Sequence, residues 1–198
     1  MRNYFEFEVS LRHIKPRIWR RFLIAANATF GDLHRAIQDS FGWMHCHLWE
    51  FRATHRRVLA GCKQDDFVDF GFGEAVPDAE AVKLGTHFAR SNSCQYIYDF
   101  GDDWLHDVKR NRRVRLSESF HRQLLAGRRA CPPEDCGGVS GYTRFVSMIE
   151  IGEDPWNEGG SVEELLEWVG DWNPAAFDLA NAKRGFDAKS VLPPDEFL

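Results

Sequence analysis

The chain has 198 residues, 43% hydrophobic and 28% charged, with a formal charge of −5, which excludes a disordered chain, a collagen-like repeat and a disulfide mini-protein. A chain of this length buries roughly 70% of the surface its unfolded form exposes, and aromatic residues make up 14% of it, which points to a core built on rings. No run of about 18 apolar residues occurs and the opening MRNYFEFEVS carries no signal-type apolar stretch, so the expectation is a cytoplasmic protein without membrane partners.

The small net charge conceals segregation. Residues 1–63 carry a balance of +6, 64–107 of −8, 108–130 of +7 and 131–198 of −10. Alternation of this kind favours a self-complementary fold over a uniformly basic nucleic-acid binder. The five cysteines, Cys46, Cys62, Cys94, Cys131 and Cys136, are expected to be reduced thiols. The two prolines of Cys131-Pro-Pro-Glu-Asp-Cys136 stiffen the one loop in which two of them lie close in sequence.

Residues 3–11 alternate, with Phe5, Phe7, Val9 and Leu11 on one face and Tyr4, Glu6, Glu8 and Ser10 on the other, a half-buried strand. His13-Ile14-Lys15-Pro16 turns the chain into a return strand over 17–24. Thr29 with Asp32 predicts a capped helix with Phe30, Leu33, Ile37 and Phe41 on one face and Gly42 as its stop. A strand over 47–54 follows, then an acidic surface excursion over 63–86, then a hairpin of 94–100 and 104–116 around Gly101-Asp102-Asp103. Helices are predicted over 117–126, 141–151, 162–169 and 174–182, the third capped by Ser161 and Glu164.

The expected fold is therefore α+β, an α/β roll with a β-grasp-like start (hairpin, helix, further antiparallel strands) and a helical C-terminal third. Residues 1–198 are read as one domain, 1–116 mainly sheet plus one helix and 117–198 mainly helical on the same core.

Trp19, Thr29-Phe30, Leu33-His34, Ile37, Gly42-Trp43 and His47-Leu48, then Tyr98-Asp99-Phe100-Gly101-Asp102-Asp103-Trp104-Leu105-His106, then Cys131-Pro132-Pro133-Glu134-Asp135-Cys136-Gly137-Gly138 and Gly141-Tyr142 resemble the Ri-plasmid (pRi) open-reading-frame-three-like family. Its relatives are often labelled TnpR passenger proteins of insertion elements. The resemblance implies an α/β roll of β-grasp type encoded on mobile elements, and it implies no mechanism. The nucleophilic serine block and helix-turn-helix reader of serine recombinases do not occur in this chain.

Three constellations carry chemistry. Asp99, Asp102, Asp103 and His106 offer carboxylates beside an imidazole, although Gly and Asp at a hairpin end are also ordinary turn residues. Strand parity sets Asp99 and Asp103 apart from Asp102 and His106 unless the turn resets the register. Cys131 and Cys136, with His45, His47 or His106, make a candidate soft-metal set, against a disulfide or buried thiols in a rigid loop. His47, His106, Glu134 and Asp135 would form a metal-assisted hydrolytic or phosphotransfer pocket if the hairpin end met the Pro-Pro loop. The metal candidates are thus His47, His106, Cys131 and Cys136, and the catalytic candidates His47, His106, Glu134 and Asp135.

Lys109, Arg110, Arg112, Arg113 and Arg115, with Arg122, Arg128 and Arg129, are the candidate phosphate contacts of a DNA-binding surface that Arg17, Arg20 and Arg21 would extend; the alternative is a solvated or Glu-paired strand. Phosphate-binding glycine loops and a Gly-x-Ser-x-Gly elbow are absent. The leading expectation is an accessory or interaction domain of a mobile-element family, without a cofactor and with an unknown protein as partner. A metal-dependent hydrolase requiring a divalent cation and a DNA-binding accessory protein are the alternatives.

Overall fold

The computed structural model describes residues 1–53, 57–62, 76–157 and 161–188. Strand β1 (Arg2–Leu11) pairs antiparallel with β2 (Trp19–Ala25), Phe7 opposite Phe22. Helix α1 (Phe30–Phe41) follows, then β3 (Trp49–Arg52), β4 (Val58–Gly61), α2 (Leu84–Phe88), β5 (Ser93–Tyr98), β6 (Trp104–Leu116) and β7 (Arg122–Arg128). The last third holds α3 (Gly138–Ile151), α4 (Val162–Val169) and α5 (Leu179–Ala188). The strands form one seven-stranded antiparallel sheet in the order β4-β3-β5-β6-β1-β2-β7. The fold is α+β, with α1 laid across the sheet.

The capping box that starts α1 is complete. The Thr29 hydroxyl accepts from Asp32 N–H at 3.1 Å and the Asp32 carboxylate accepts from Thr29 N–H at 2.8 Å. Phe30, Leu33, Ile37 and Phe41 turn inward, as their spacing requires. Against them stand Phe5, Phe7, Val9, Phe22 and Phe51. Phe88 of α2 meets Phe7 with ring centroids 4.7 Å apart, and Phe186 of α5 meets Phe22 at 5.6 Å, so three helices share one face of the sheet. Each fully buried Phe contributes roughly 1.5–3 kcal/mol of transfer free energy.

Two expectations fail. Residues 122–128 form β7 rather than the end of a helix over 117–126. The edge of β2 away from β1 offers a ladder, and Arg122 and Leu124 point inward on it, opposite Ile24 and Phe22. Residues 117–121 cross the far face of the sheet, where Phe120 stacks on Tyr4 at 4.3 Å. Helix propensity over 117–126 is weak, and pairing with a free strand edge overrides it. The second failure is at the C-terminus, where the helix expected over 174–182 begins later, as α5.

The other expected elements stand within a few residues, although α3 starts at Gly138 rather than 141. Most of the excursion expected over 63–86 lies outside the described residues. Its end is tied down, since Asp78 bridges Gly61 and Lys83 bridges Thr29, and it carries α2, which the sequence pattern does not announce. Among the described residues no helix is long and apolar enough to cross a membrane.

Candidate functional site

Three segments meet beyond the C-terminus of α1. The first, residues 43–48, leaves the helix at Gly42, whose left-handed backbone (φ 92°) ends it. The second is the end of β5, Tyr98 and Asp99, with the turn that follows. The third is the Cys131–Cys136 loop. Trp43 Nε1–H donates to Pro132 O at 3.0 Å, and Met44 N–H donates to Glu134 Oε1 at 2.7 Å. The Tyr98 hydroxyl donates to the same carboxylate oxygen at 3.0 Å and accepts from Cys46 N–H at 3.3 Å. Burial first, then the neighbouring Cys46 and Glu134, raises the Tyr98 phenol's pKa, so it remains a donor. Asp102 fastens the loop from the other side, its Oδ2 accepting from Gly137 N–H at 3.1 Å.

These contacts bring His47, Asp99, Glu134 and Asp135 together. From His47 Nε2 the nearest carboxylate oxygens are Asp135 Oδ1 at 3.2 Å, Asp99 Oδ2 at 3.8 Å and Glu134 Oε2 at 3.9 Å. His47, Asp99 and Asp135 form one compact group and Cys46, His47 and Glu134 a second, with His47 common to both. The Glu134 side chain is only 9% exposed, and its Oε2, like His47 Nε2, is closed off from solvent without a hydrogen-bond partner. Among the described residues no Lys or Arg pairs with the three carboxylates. Unpaired buried polar atoms of this kind cost about 1–3 kcal/mol each.

The 3.2 Å pair has the spacing of two ligands on one ion, whereas the 3.8 and 3.9 Å pairs would have to close by about 0.5 Å. Two ligands each about 2.1 Å from one ion lie about 3.0 Å apart when cis-octahedral and about 3.4 Å apart when tetrahedral. Imidazole nitrogen with carboxylates suits zinc or manganese better than calcium, which takes oxygen alone.

His106 does not join this group. It faces the core from β6, opposite Tyr96, with Nδ1 2.9 Å from Trp104 O and its ring edge-on to Phe41 and Trp43. Burial pulls its pKa down to about 3, so the ring is neutral. The reason is register: His106 sits two residues along β6 from Trp104, the partner of Tyr98, and so lies deeper under α1. Cys131 and Cys136 are free thiols outside both compact groups, and burial pushes the Cys136 thiol up to about 12. His45 turns instead toward Asp39, 3.4 Å away.

The basic run divides between two faces. A bulge between Glu6 and Phe7 of β1 leaves Asn111 unpaired on β6. Lys109 and Arg112 lie on the side of Glu8 and Glu6, and Arg112 Nε bonds Glu6 at 2.7 Å. Arg110, Arg113 and Arg115 lie on the other side, the first two over the Phe5 ring. Arg122 is not a surface cation but is buried against Asp39 at 2.5 Å, and Arg20 is also buried.

Cys46 and Tyr98 complete the site beyond the residues expected to carry its chemistry, and Asp99 is the member of the hairpin constellation that reaches His47. Asp99 does carry a sequence signal, a carboxylate next to Gly101 and Asp102, but turn chemistry explains it equally well. It does both: its Oδ1 accepts from Gly101 N–H at 2.8 Å while Oδ2 faces His47. Nothing in strand periodicity reports that a tyrosine hydroxyl will reach a loop 36 residues away.

Gly141 sets how closely α3 approaches the loop, because a Cβ there would overlap Cys136 O. Gly141→Ala is expected to cost about 1–3 kcal/mol of stability by forcing α3 outward, read from urea unfolding. An unchanged midpoint would show that the loop is not clamped by α3.

The molecule is thus an α+β roll with a His–carboxylate cluster of which Glu134 and Asp135 line a cleft. The chain belongs to the plasmid pRiA4b ORF-3-like family, whose model matches residues 3–181. It is 32% identical over 184 residues to the uncharacterized protein y4hQ of Sinorhizobium fredii, covering 91% of this chain and 89% of that one. The crystal structure of a protein of unknown function, MM3350 from Methanosarcina mazei, is similar with a TM-score of 0.76 and 29% identity, over 91% of this chain and 98% of that one. Neither relative's name states an activity.

Proposed function

We propose that the protein is a divalent-cation-dependent hydrolase, with Cys46, His47 and Glu134 as cation ligands and Asp135 as the base beside them. The observation that supports this most strongly is that His47 Nε2 and Glu134 Oε2, 3.9 Å apart, are both closed off from solvent without a hydrogen bond, with Asp135 Oδ1 3.2 Å from the same nitrogen. A cation there would satisfy both and would lower the pKa of a bound water toward neutrality. With a cation held there, Asp135, 68% exposed, would take a proton from the water as it adds to the scissile centre, and the leaving group would take a proton from solvent. The adjoining cleft, about 750 Å3, holds the substrate and is lined by Trp43, Met44, Glu134, Asp135 and Trp172.

A passenger role on plasmids or insertion elements, including the TnpR naming of relatives, is compatible with this chemistry and adds no residue to it. The accessory or protein-interaction reading has its own support in Trp168, Leu166 and Trp156, large apolar side chains exposed on and near α4.

The test is metal analysis after dialysis against zinc or manganese, with hydrolysis of p-nitrophenyl phosphate and p-nitrophenyl acetate measured before and after chelation. One equivalent of metal and chelator-sensitive turnover are expected. Protein that retains no metal, or turnover indifferent to chelation, contradicts the reading.

A further inference from the structure

Arg20, on β2, is buried to 2% exposure. Its Nε–H donates to Ser40 O at 2.7 Å, and Nη1 donates to Trp19 O at 2.9 Å and to Arg128 O at 3.1 Å. The rings of Phe177 and Phe41 lie 4.0 and 4.9 Å from the guanidinium carbon. Among the described residues no carboxylate pairs with Arg20, and Nη2 has no acceptor. Asp39, which lines the same cleft, is engaged by Arg122 and His45. Carbonyl dipoles satisfy donors but do not neutralise a buried charge. Burial accordingly pulls the Arg20 pKa down to about 10.

The position is built tightly. A Cβ on Gly127 would come within 2.6 Å of the Phe177 ring and 2.8 Å of Arg20 Cδ, so the bare backbone of β7 is what lets ring and guanidinium stack. Arg20 lines the cleft whose other part is formed by Glu134 and Asp135.

We propose that Arg20 is the anion seat of the cleft, with Nη2 donating to an oxyanion, carboxylate or phosphate, of a ligand whose apolar part lies against the aromatic walls. This rests on the preceding reading only in making that ligand the substrate, and so names the substrate class as anionic. A guanidinium already held by three carbonyls and two rings is pre-organised, so a ligand anion gains its charge-assisted bonds without ordering a flexible side chain.

The experiment uses chelator-treated full-length protein, so that the seat is tested without the cation. Inorganic phosphate, phenyl phosphate and benzoate are titrated by calorimetry and by NMR of the Arg20 guanidinium in the wild type. A dissociation constant below about 1 mM for phenyl phosphate or benzoate, with a shifted Arg20 signal, is expected. Arg20→Lys, whose fold is checked by circular dichroism, should weaken that binding at least about tenfold. Phenyl phosphate alone, benzoate alone or both identify the group and support the seat. Glu134→Gln should lose the cation yet keep the anion, which separates a failure here from a failure of the cation site. No saturable binding, or binding that leaves the Arg20 signal unmoved, overturns the proposal; the wild-type NMR arm decides it even if Arg20→Lys does not fold.

Discussion

Glu134→Gln should weaken divalent-cation binding by at least about 100-fold, since loss of an outer-shell partner alone typically costs about 10–100-fold and Glu134 is placed as a ligand. The amide keeps an oxygen for Met44 N–H and the Tyr98 hydroxyl, which hold the carboxylate at 2.7 and 3.0 Å, so the loop should stay in place. The same substitution has the opposite sign in chelator-treated protein. There it removes a buried charge with an unpartnered oxygen, and stability should rise by about 1–3 kcal/mol. Opposite shifts in the two conditions, read by thermal unfolding with and without cation, are the signature of a site built for an ion. A variant that is destabilised equally in both would mark Glu134 as a purely architectural residue.

The second large effect concerns His106. Its ring is wholly buried between Tyr96, Phe41 and Trp43, so His106→Ala should cost about 2–4 kcal/mol at neutral pH by leaving a cavity and an unpaired Trp104 carbonyl. It should leave cation affinity unchanged. Burial lowers the native pKa from 6.5 to about 3, so below about pH 6.5 the unfolded chain takes up a proton that the native state refuses. Stability contributed by the neutral ring is therefore present above that pH and falls by about 1.4 kcal/mol per pH unit until about pH 3. His34, pulled down to about 2 by burial and then by His45 and Arg35, adds a slope of the same sign. His106→Ala should lose only its own share of that slope. A variant whose acid profile parallels the wild type would show that His106 titrates normally in the native protein.

Local rules make most of the scaffold legible. Alternation places β1 and β2, the Thr29 and Asp32 pair places α1, and Gly101-Asp102-Asp103 places the β5–β6 hairpin. Residues 122–128 escape a local reading because their fate depends on a strand edge contributed by β2, far earlier in the chain, and short-range pattern carries no record of that edge. The site is legible as a set of candidates and not as a geometry. His47 lies within 4 Å of Glu134 and of Asp135, whereas His106, which the same reading placed beside them, falls to the core by strand register. Arg20 has the appearance in sequence of one more surface cation in a basic segment. Only the packing of Phe41, Phe177 and Gly127 around it shows a buried charge without a counter-ion.

Anomalous diffraction at the zinc or manganese edge, from crystals grown with the cation, would locate the ion itself. One peak is expected about 2.0–2.2 Å from His47 Nε2 and from a carboxylate oxygen of Glu134, and about 2.3 Å from Cys46 Sγ. No peak between these residues, with the same ion bound elsewhere or not at all, would contradict the cation site.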